Sequence, residues 1–314
     1  MFLRGGARPP TGQVVAFIDQ NKDRETDGLR WGVEPICKVL QFAPSVYYDA
    51  KSRPPSRRSV NDAEMKNEIL RIYKDNFEAY GADKMWRELR RQGIACGRDR
   101  VARLMRELGI SGVVRRKEPP RTTVPADKAE YPADLVKRDF TSSGPNKLWV
   151  ADITYVLTEA GWAYVAFITD VFARTLVGWA VSASLRADLV LSALEMAMFA
   201  RQGQDLSGLV HHSDRGGQYL SVRYTKRLDD EKAVTSVGSK GDSYDNALAE
   251  TVNGLYKAEL AHHFGPWRNA AHLELATAKW ALWWNEDRLH SWCGFVPPAE
   301  YEAAWWAARA EEAA

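Results

Sequence analysis

Residues 148–182 read LWVADITYVLTEAGWAYVAFITDVFARTLVGWAVS. Three runs rich in Val, Ile, Thr and aromatic residues, Trp149 to Leu157, Trp162 to Asp170 and Thr175 to Ser182, are separated by the turns Glu159-Ala160-Gly161 and Phe172-Ala173-Arg174. Such runs between turn residues predict consecutive strands of a β-meander. Asp152 interrupts the first run, and a carboxylate among apolar neighbours is costly unless a cation meets it.

Downstream the pattern changes to alternating helices and strands. A helix is predicted from about Ala187 to Arg201, a strand from Leu209 to Ser213, a helix from Val222 to Asp230 and a short strand from Ala233 to Val237. Asp214, in LVHHSDRGGQYLS, ends the Leu209 run at a turn made by Gly216 and Gly217. Glu250, in GDSYDNALAETVNGLYKAEL, lies on a further helix after a glycine-containing loop. With 61 residues between the first two acids and 35 between the last two, three distant segments can each bring one carboxylate to a common point. Hard oxygen ligands without thiolates suit Mg²⁺ or Mn²⁺.

From Asn146 to Glu302 the sequence resembles the D,D(35)E catalytic core of integrases and transposases. More narrowly, it is similar to the second-reading-frame transposase of the IS-three family of insertion sequences. The words that carry the resemblance are GWAYVAFITDVFARTLVGW, HHSDRGGQYLS, SVGSKGDSYDNALAETVNGLYKAE and WWNEDRLHSWCGFVPPAEYE. The resemblance implies an α/β fold, a ribonuclease H-like integrase catalytic core preceded by a small all-α helix-turn-helix domain. It implies a DDE transposase, a metal-dependent polynucleotidyl transferase that cuts insertion-sequence ends and joins the freed 3′-hydroxyl to another strand. Asp152, Asp214 and Glu250 would be both catalytic residues and ligands of two Mg²⁺ or Mn²⁺ ions. Two rivals stand beside this reading: a retroviral-type integrase, for which the preceding His-His-Cys-Cys zinc module is missing, and a catalytically silent DNA-binding regulator.

On a regular helix Asn246, Glu250, Asn253 and Lys257 share a stripe about 60° wide, with Leu248, Val252 and Leu255 turned away from it. The resemblance places a DNA-end contact at Lys257, and Asn246 and Asn253 join it as candidate DNA-binding residues. Asp170 reads as a turn cap, Arg215 as a phosphate contact or ion-pair member, and Asp242 and Asp245 as loop and helix-start residues. Arg288 and His290 match a family motif without an evident role. Lys232 stands near a usual glycine of the family, and Cys293 where leucine is common. The tryptophans read as helix-packing residues, not as base-stacking platforms.

Net charge of +2 over 314 residues conceals an asymmetry. Residues 1–139 carry 28 Lys and Arg against 20 Asp and Glu, while residues 140–314 carry 15 against 21. A basic DNA-tethering half joined to an acidic, metal-holding half accounts for that polarity. Cys37, Cys96 and Cys293 are far apart and form no CxxC pair, so neither a disulfide framework nor a cysteine-rich zinc site is indicated. No apolar run reaches the roughly 18 residues of a membrane span, and a bacterial cytoplasmic, nucleoid-associated protein is expected.

The expected organisation has five parts. Residues 1–58 form a Gly- and Pro-rich leader, a short helical segment and the basic linker KSRPPSRR. Residues 59–113 form the helix-turn-helix-like domain, in which Val101, Leu104, Met105 and Leu108 make an apolar stripe. Arg98, Arg100, Arg103 and Arg106 cover the rest of that helix as DNA-binding candidates. A basic, proline-rich linker (114–139), the catalytic core (140–262) and a C-terminal helical extension (263–314) follow. Expected partners are double-stranded DNA, as element ends and target, other copies of the chain on DNA, and the upstream-frame helix-turn-helix and coiled-coil protein of the same element.

Overall fold

The computed structural model describes residues 9–114, 134–136, 139–214, 216–238 and 246–313. It divides into two compact units, Met1–Met65 and Lys66–Ala314. Most of the 114–139 linker, and Arg215, Asp242 and Asp245, lie outside the described residues.

In the first unit, α1 (Thr11–Asn21) leads through the hairpin β1 (Glu25–Thr26) and β2 (Leu29–Arg30) to α2 (Val33–Val39) and α3 (Pro44–Ser52). The hairpin turns on Asp27-Gly28, both at positive φ, the signature of a tight two-residue turn. Val14, Ile18, Ile36, Cys37 and Tyr47 close a small core. The Tyr47 hydroxyl donates to Asp19 over 2.8 Å. The expected leader therefore gives way at Thr11 to a helix that contributes to this core, and the short helical segment is three helices and a hairpin.

The division between the units falls within α4 (Arg57–Asp75). In the second unit α5 (Ala82–Arg91) and α6 (Arg98–Glu107) follow, joined by a turn in which Gly93 has φ +78°. Ile69, Ile72, Met85, Leu89, Val101, Leu104 and Met105 are buried among these helices. The Trp86 indole donates to the Cys96 carbonyl across the turn, 3.0 Å.

The meander appears as β3 (Leu148–Thr158), β4 (Gly161–Asp170) and β5 (Thr175–Ser182). Helix α7 (Ala187–Ala200), β6 (Val210–Ser213), α8 (Val222–Asp230), β7 (Val234–Val237) and α9 (Ala247–Tyr256) follow. The five-stranded sheet has the order β5-β4-β3-β6-β7, with β3, β6 and β7 mutually parallel and the other pairs antiparallel. Central β3 is covered on both faces: Trp149 and Ala151 pack with Leu189, Val190 and Leu194 of α7, and Leu148 and Val150 pack with Ala249 of α9. Gly178 permits α7 to lie close on β5, because a Cβ there would stand 2.1 Å from the Ala193 carbonyl oxygen.

Lys232, which the resemblance sets near a usual glycine, has φ +55°. It ends α8 in a left-handed C-cap, with Lys232 N–H donating to Asp229 (2.9 Å) and Ala233 N–H to Leu228 (3.0 Å). Asp170 caps its turn as expected, accepting from Phe172 N–H at 3.0 Å and from Asn146 N–H at 2.8 Å. Burial is the main reason its carboxyl is pushed up to about 6. Arg201 joins it to Glu302 of α11 (Pro298–Ala313), so the C-terminal helix is tied to the sheet. Trp280, Trp283 and Trp284 of α10 (Ala270–Glu286) are buried packing residues. The three cysteines are free.

Candidate active site

The register between β3 and β6 places the first two acids. Ala151 pairs with Ser213 at the end of the parallel ladder, so Asp152 and Asp214 are the next residues along each chain. Parallel neighbours lie about 4.8 Å apart, which makes the two carboxylates adjacent. Asp152 Oδ1 accepts from the Ile153 N–H at 2.8 Å, and Asp214 Oδ1 accepts from the Gly216 N–H at 3.0 Å. Burial, then the Asp214 charge and more weakly that of Glu250, hold Asp152 well above the usual carboxylate range, against the hydrogen bonds from Ile153 and Asn253. Burial raises Asp214 as well, opposed by Gly216 and His212. Asp152 retains some accessible surface, yet most of its surroundings are protein. The two titrate as a pair.

Glu250 lies in the first turn of α9 and is exposed. It acts on Asp152 through its charge, and among the described residues the three acids do not close into one ligating cluster. Repulsion among like charges favours that separation.

The Glu250 stripe holds a departure from the expected DNA contacts. Asn246 is the N-cap residue of α9, is buried, and donates its amide to the Ala151 carbonyl over 3.1 Å. Asn253 is buried and donates to Asp152 Oδ2 over 2.8 Å. Both amides are turned toward β3 instead of outward. Regular helical steps stop at Tyr256, and Lys257 opens a π-helical turn, Lys257–Ala261. Its ammonium lies 4.7 Å from the centroid of the Tyr155 ring.

Arg288, without a role in the sequence, is half of a buried ion pair. Its guanidinium donates to Glu259, the third residue of the π-helical turn, with a closest approach of 2.6 Å. Arg288 also donates to His290 Nδ1 (3.3 Å), while His290 Nε2 donates to the Trp284 carbonyl (3.2 Å). Burial, reinforced by the Arg288 charge, holds His290 well below its usual pKa and so neutral. Tyr80 accepts from Leu289 N–H at 2.8 Å, and Trp283 donates to Asn76 at 3.0 Å, joining the helical segment to α10 and to the chain just after it. Glu259 is 29 residues from Arg288, and no local spacing signals such a pairing.

His211 and His212 point to opposite faces, as strand alternation requires: one meets Tyr224, the other Ser236, each at 2.9 Å. On α6, Arg98 and Arg106 are exposed and Arg100 is half-buried, while Arg103 pairs with Glu107 at 2.5 Å. Arg98 and Arg100 occupy the first turn, where the helix dipole disfavours cations.

A ribonuclease H-like sheet with two acids side by side where the β3–β6 ladder ends defines an integrase-core protein. Residues 59–118 match the family described as HTH-like domain, and residues 142–243 and 232–298 match two families described as integrase core domain. The chain is 50% identical over 278 residues to a putative transposase for the insertion sequence element IS986/IS6110 of Mycobacterium tuberculosis, covering 88% of this chain and 100% of that one. It is 49% identical over 288 residues to the transposase for IS629 of Shigella sonnei, covering 90% and 95%. It is 31% identical over 285 residues to transposase InsF for IS3A of Escherichia coli, covering 88% and 96%. The chain belongs to the insertion-sequence transposases that combine an HTH-like domain with an integrase core. Among the described residues no helix is long and apolar enough to cross a membrane.

Proposed function

We propose that this DNA transposase cuts the ends of its insertion sequence and transfers the freed 3′-hydroxyl to another strand at Asp152, Asp214 and Glu250. The observation that supports the reading is the adjacency of Asp152 and Asp214, two carboxylates raised in pKa by burial, Asp152 also by the charge of Asp214. Three carboxylates without thiolates fit hard divalent ions, and these residues would hold two Mg²⁺ or Mn²⁺. When bound, the ions supply Lewis-acid stabilisation of the attacking and leaving oxygens. The protein's own groups orient and bind. Asn253 and the Ile153 N–H fix both oxygens of Asp152, and Gly216 N–H fixes Asp214. Lys257 supplies a cation for the phosphate backbone beside the scissile bond. Arg98, Arg100, Arg103 and Arg106 of α6 hold the duplex by its phosphates. No side-chain nucleophile is required.

The division of labour follows the five expected segments: residues 59–113 hold DNA, 140–262 carry the chemistry, and 1–58, 114–139 and 263–314 link and brace them. The chain works as several copies on DNA at the nucleoid, and the upstream-frame protein of the element supplies most end specificity. Competition binding at fixed salt, with and without that partner, tests the last point. End preference should rise on its addition, and an isolated chain already favouring its ends by roughly 10³-fold would overturn it. The central test is nicking and joining of an end-containing duplex in Mg²⁺, Mn²⁺ or EDTA. Metal-dependent joining is expected; DNA binding without strand cleavage in either metal would favour the regulator reading.

A further inference from the structure

Beyond the carboxylates, β3 carries side chains that the catalytic reading leaves unused. Pairing with β6 ends at Ala151, whereas β3 continues to Thr158. Along that extension Tyr155 and Leu157 alternate to the face opposite Asp152. Their cross-strand partners on β4 are Tyr164 and Trp162. Trp162 is 47% exposed and Leu157 64%, an unusual outlay of apolar surface at a hairpin tip. The Tyr155 ring meets Trp162 edge-on, with centroids 5.2 Å apart and planes at 85°. Lys257, on the line of the Glu250 helix, places its ammonium 4.7 Å from the Tyr155 centroid. The hairpin tip is anchored as well: Glu159 N–H donates to the Trp267 carbonyl (2.8 Å) and Ala160 N–H to that of Arg268 (3.1 Å).

We propose that Trp162, braced edge-on by Tyr155, is a stacking platform for one unpaired base of the DNA strand whose phosphate Lys257 contacts. The inference rests on the catalytic reading, because it takes the scissile phosphate to lie at Asp152 and Asp214. Tyr155 is three residues from Asp152, about 10 Å along a strand, and Lys257 is seven residues from Glu250, about 10 Å along a helix. Both paths leave the carboxylates by about 10 Å, a short step along an extended strand. A cation and an open aromatic ring at that distance match the two parts of a nucleotide, its phosphate and its base. A base within duplex DNA has both faces occupied by its neighbours, so only one that has left the stack can lie on Trp162. Aromatic platforms beside a basic group bind single strands in this way. The expectation that tryptophans serve packing holds for Trp149, Trp280 and Trp284, which are fully buried, and not for Trp162.

The test uses the full chain with element-end duplexes that carry 2-aminopurine at successive positions near the cleavage site, either fully paired or with the last three nucleotides unpaired. Binding is read in Ca²⁺ by 2-aminopurine quenching. Wild-type protein should quench one unpaired position. Trp162→Ala should lose that quenching and weaken binding of the unpaired end roughly tenfold, with the fully paired end unchanged, and Trp162→Phe should restore most of both. Quenching retained in Trp162→Ala, or equal weakening of both ends, would overturn the platform. So would a change of oligomeric state without DNA, which would assign the patch to a second copy of the chain. Metal-dependent joining by the wild type is scored in parallel. Joining with no Trp162-dependent quenching rejects the platform alone, while absence of joining rejects the catalytic reading.

Discussion

The side-chain amide of Asn253 donates to Oδ2 of Asp152 over 2.8 Å, so the helix that carries Glu250 also orients a carboxylate of the central strand. The same stretch reaches β3 a second time, through Asn246 and the Ala151 carbonyl. Two elements that come together only in the tertiary fold are thereby set in one register beside Asp152.

Asn253→Ala removes a hydrogen bond to a carboxylate, an interaction worth about 1.5–3 kcal/mol. The turnover rate for joining should fall at least tenfold while affinity for DNA stays within about twofold. A steady rate with a reduced salt dependence of binding would instead make Asn253 the phosphate contact that its stripe suggests.

Asp152→Asn, Asp214→Asn and Glu250→Gln should each abolish joining and leave most DNA binding intact. For Asp152 the folded state raises the pKa, so the folded protein holds this proton more tightly than the unfolded chain. Without metal, stability from this group is greatest in acid and declines as pH rises above about 4. Asp152→Asn should therefore melt higher than wild type at neutral pH in EDTA. Added Mg²⁺ should raise the melting temperature of the wild type only. Equal stabilisation of both proteins by metal would remove Asp152 from the ligand set.

Glu259→Gln or Arg288→Ala leaves one buried charge without its partner, a loss of about 3–5 kcal/mol. The double variant Glu259→Met/Arg288→Met should be less destabilised than either single change in chemical unfolding. His290 is held neutral by burial, while in the unfolded chain it takes up a proton below about pH 6.5. Its contribution to stability is present above that value and is lost as pH falls. A denaturation midpoint independent of pH between 7 and about 5 would contradict the buried, neutral assignment.

Each of Arg98→Ala, Arg100→Ala and Arg103→Ala that removes a phosphate contact should lower affinity across sequences and reduce the salt slope by roughly one unit. Three variants with unchanged slopes would leave α6 as a solvated helix.

Lys232→Gly should raise stability by about 1 kcal/mol, because the left-handed conformation costs a side-chain-bearing residue about that much. Thermal melts check it; a lower midpoint would mean that the α8 cap tolerates lysine without strain.

The strands and helices of the catalytic core were legible because β-branched runs alternate with clear turns, and β3 begins only one residue before the expected Trp149. Helix α1 was not, since no side chain caps its start and no acid occupies its first turn. The β1–β2 turn did carry a readable signal in Asp27-Gly28. Within the site, helical spacing put Asn246 and Asn253 near Glu250 but could not tell which side of the stripe faces β3. The π-helical turn at Lys257 breaks the 100° rule without any residue that announces it. Arg288 illustrates the remaining gap, since a pairing with Glu259 through the fold has no period in the chain.

The parallel junction of β3 with β6 has a consequence for how the protein comes into being. β3, β4 and β5 are joined by short turns and can assemble from neighbouring chain, whereas β6 reaches β3 only after α7 has crossed the sheet. Local pairings form early and distant ones late. A nascent chain can thus complete its meander, with Asp152 in place, and still possess no pair of carboxylates. Asp214 arrives only with this later, long-range pairing, so a chain that has finished no more than its meander holds one acid of the pair without the other.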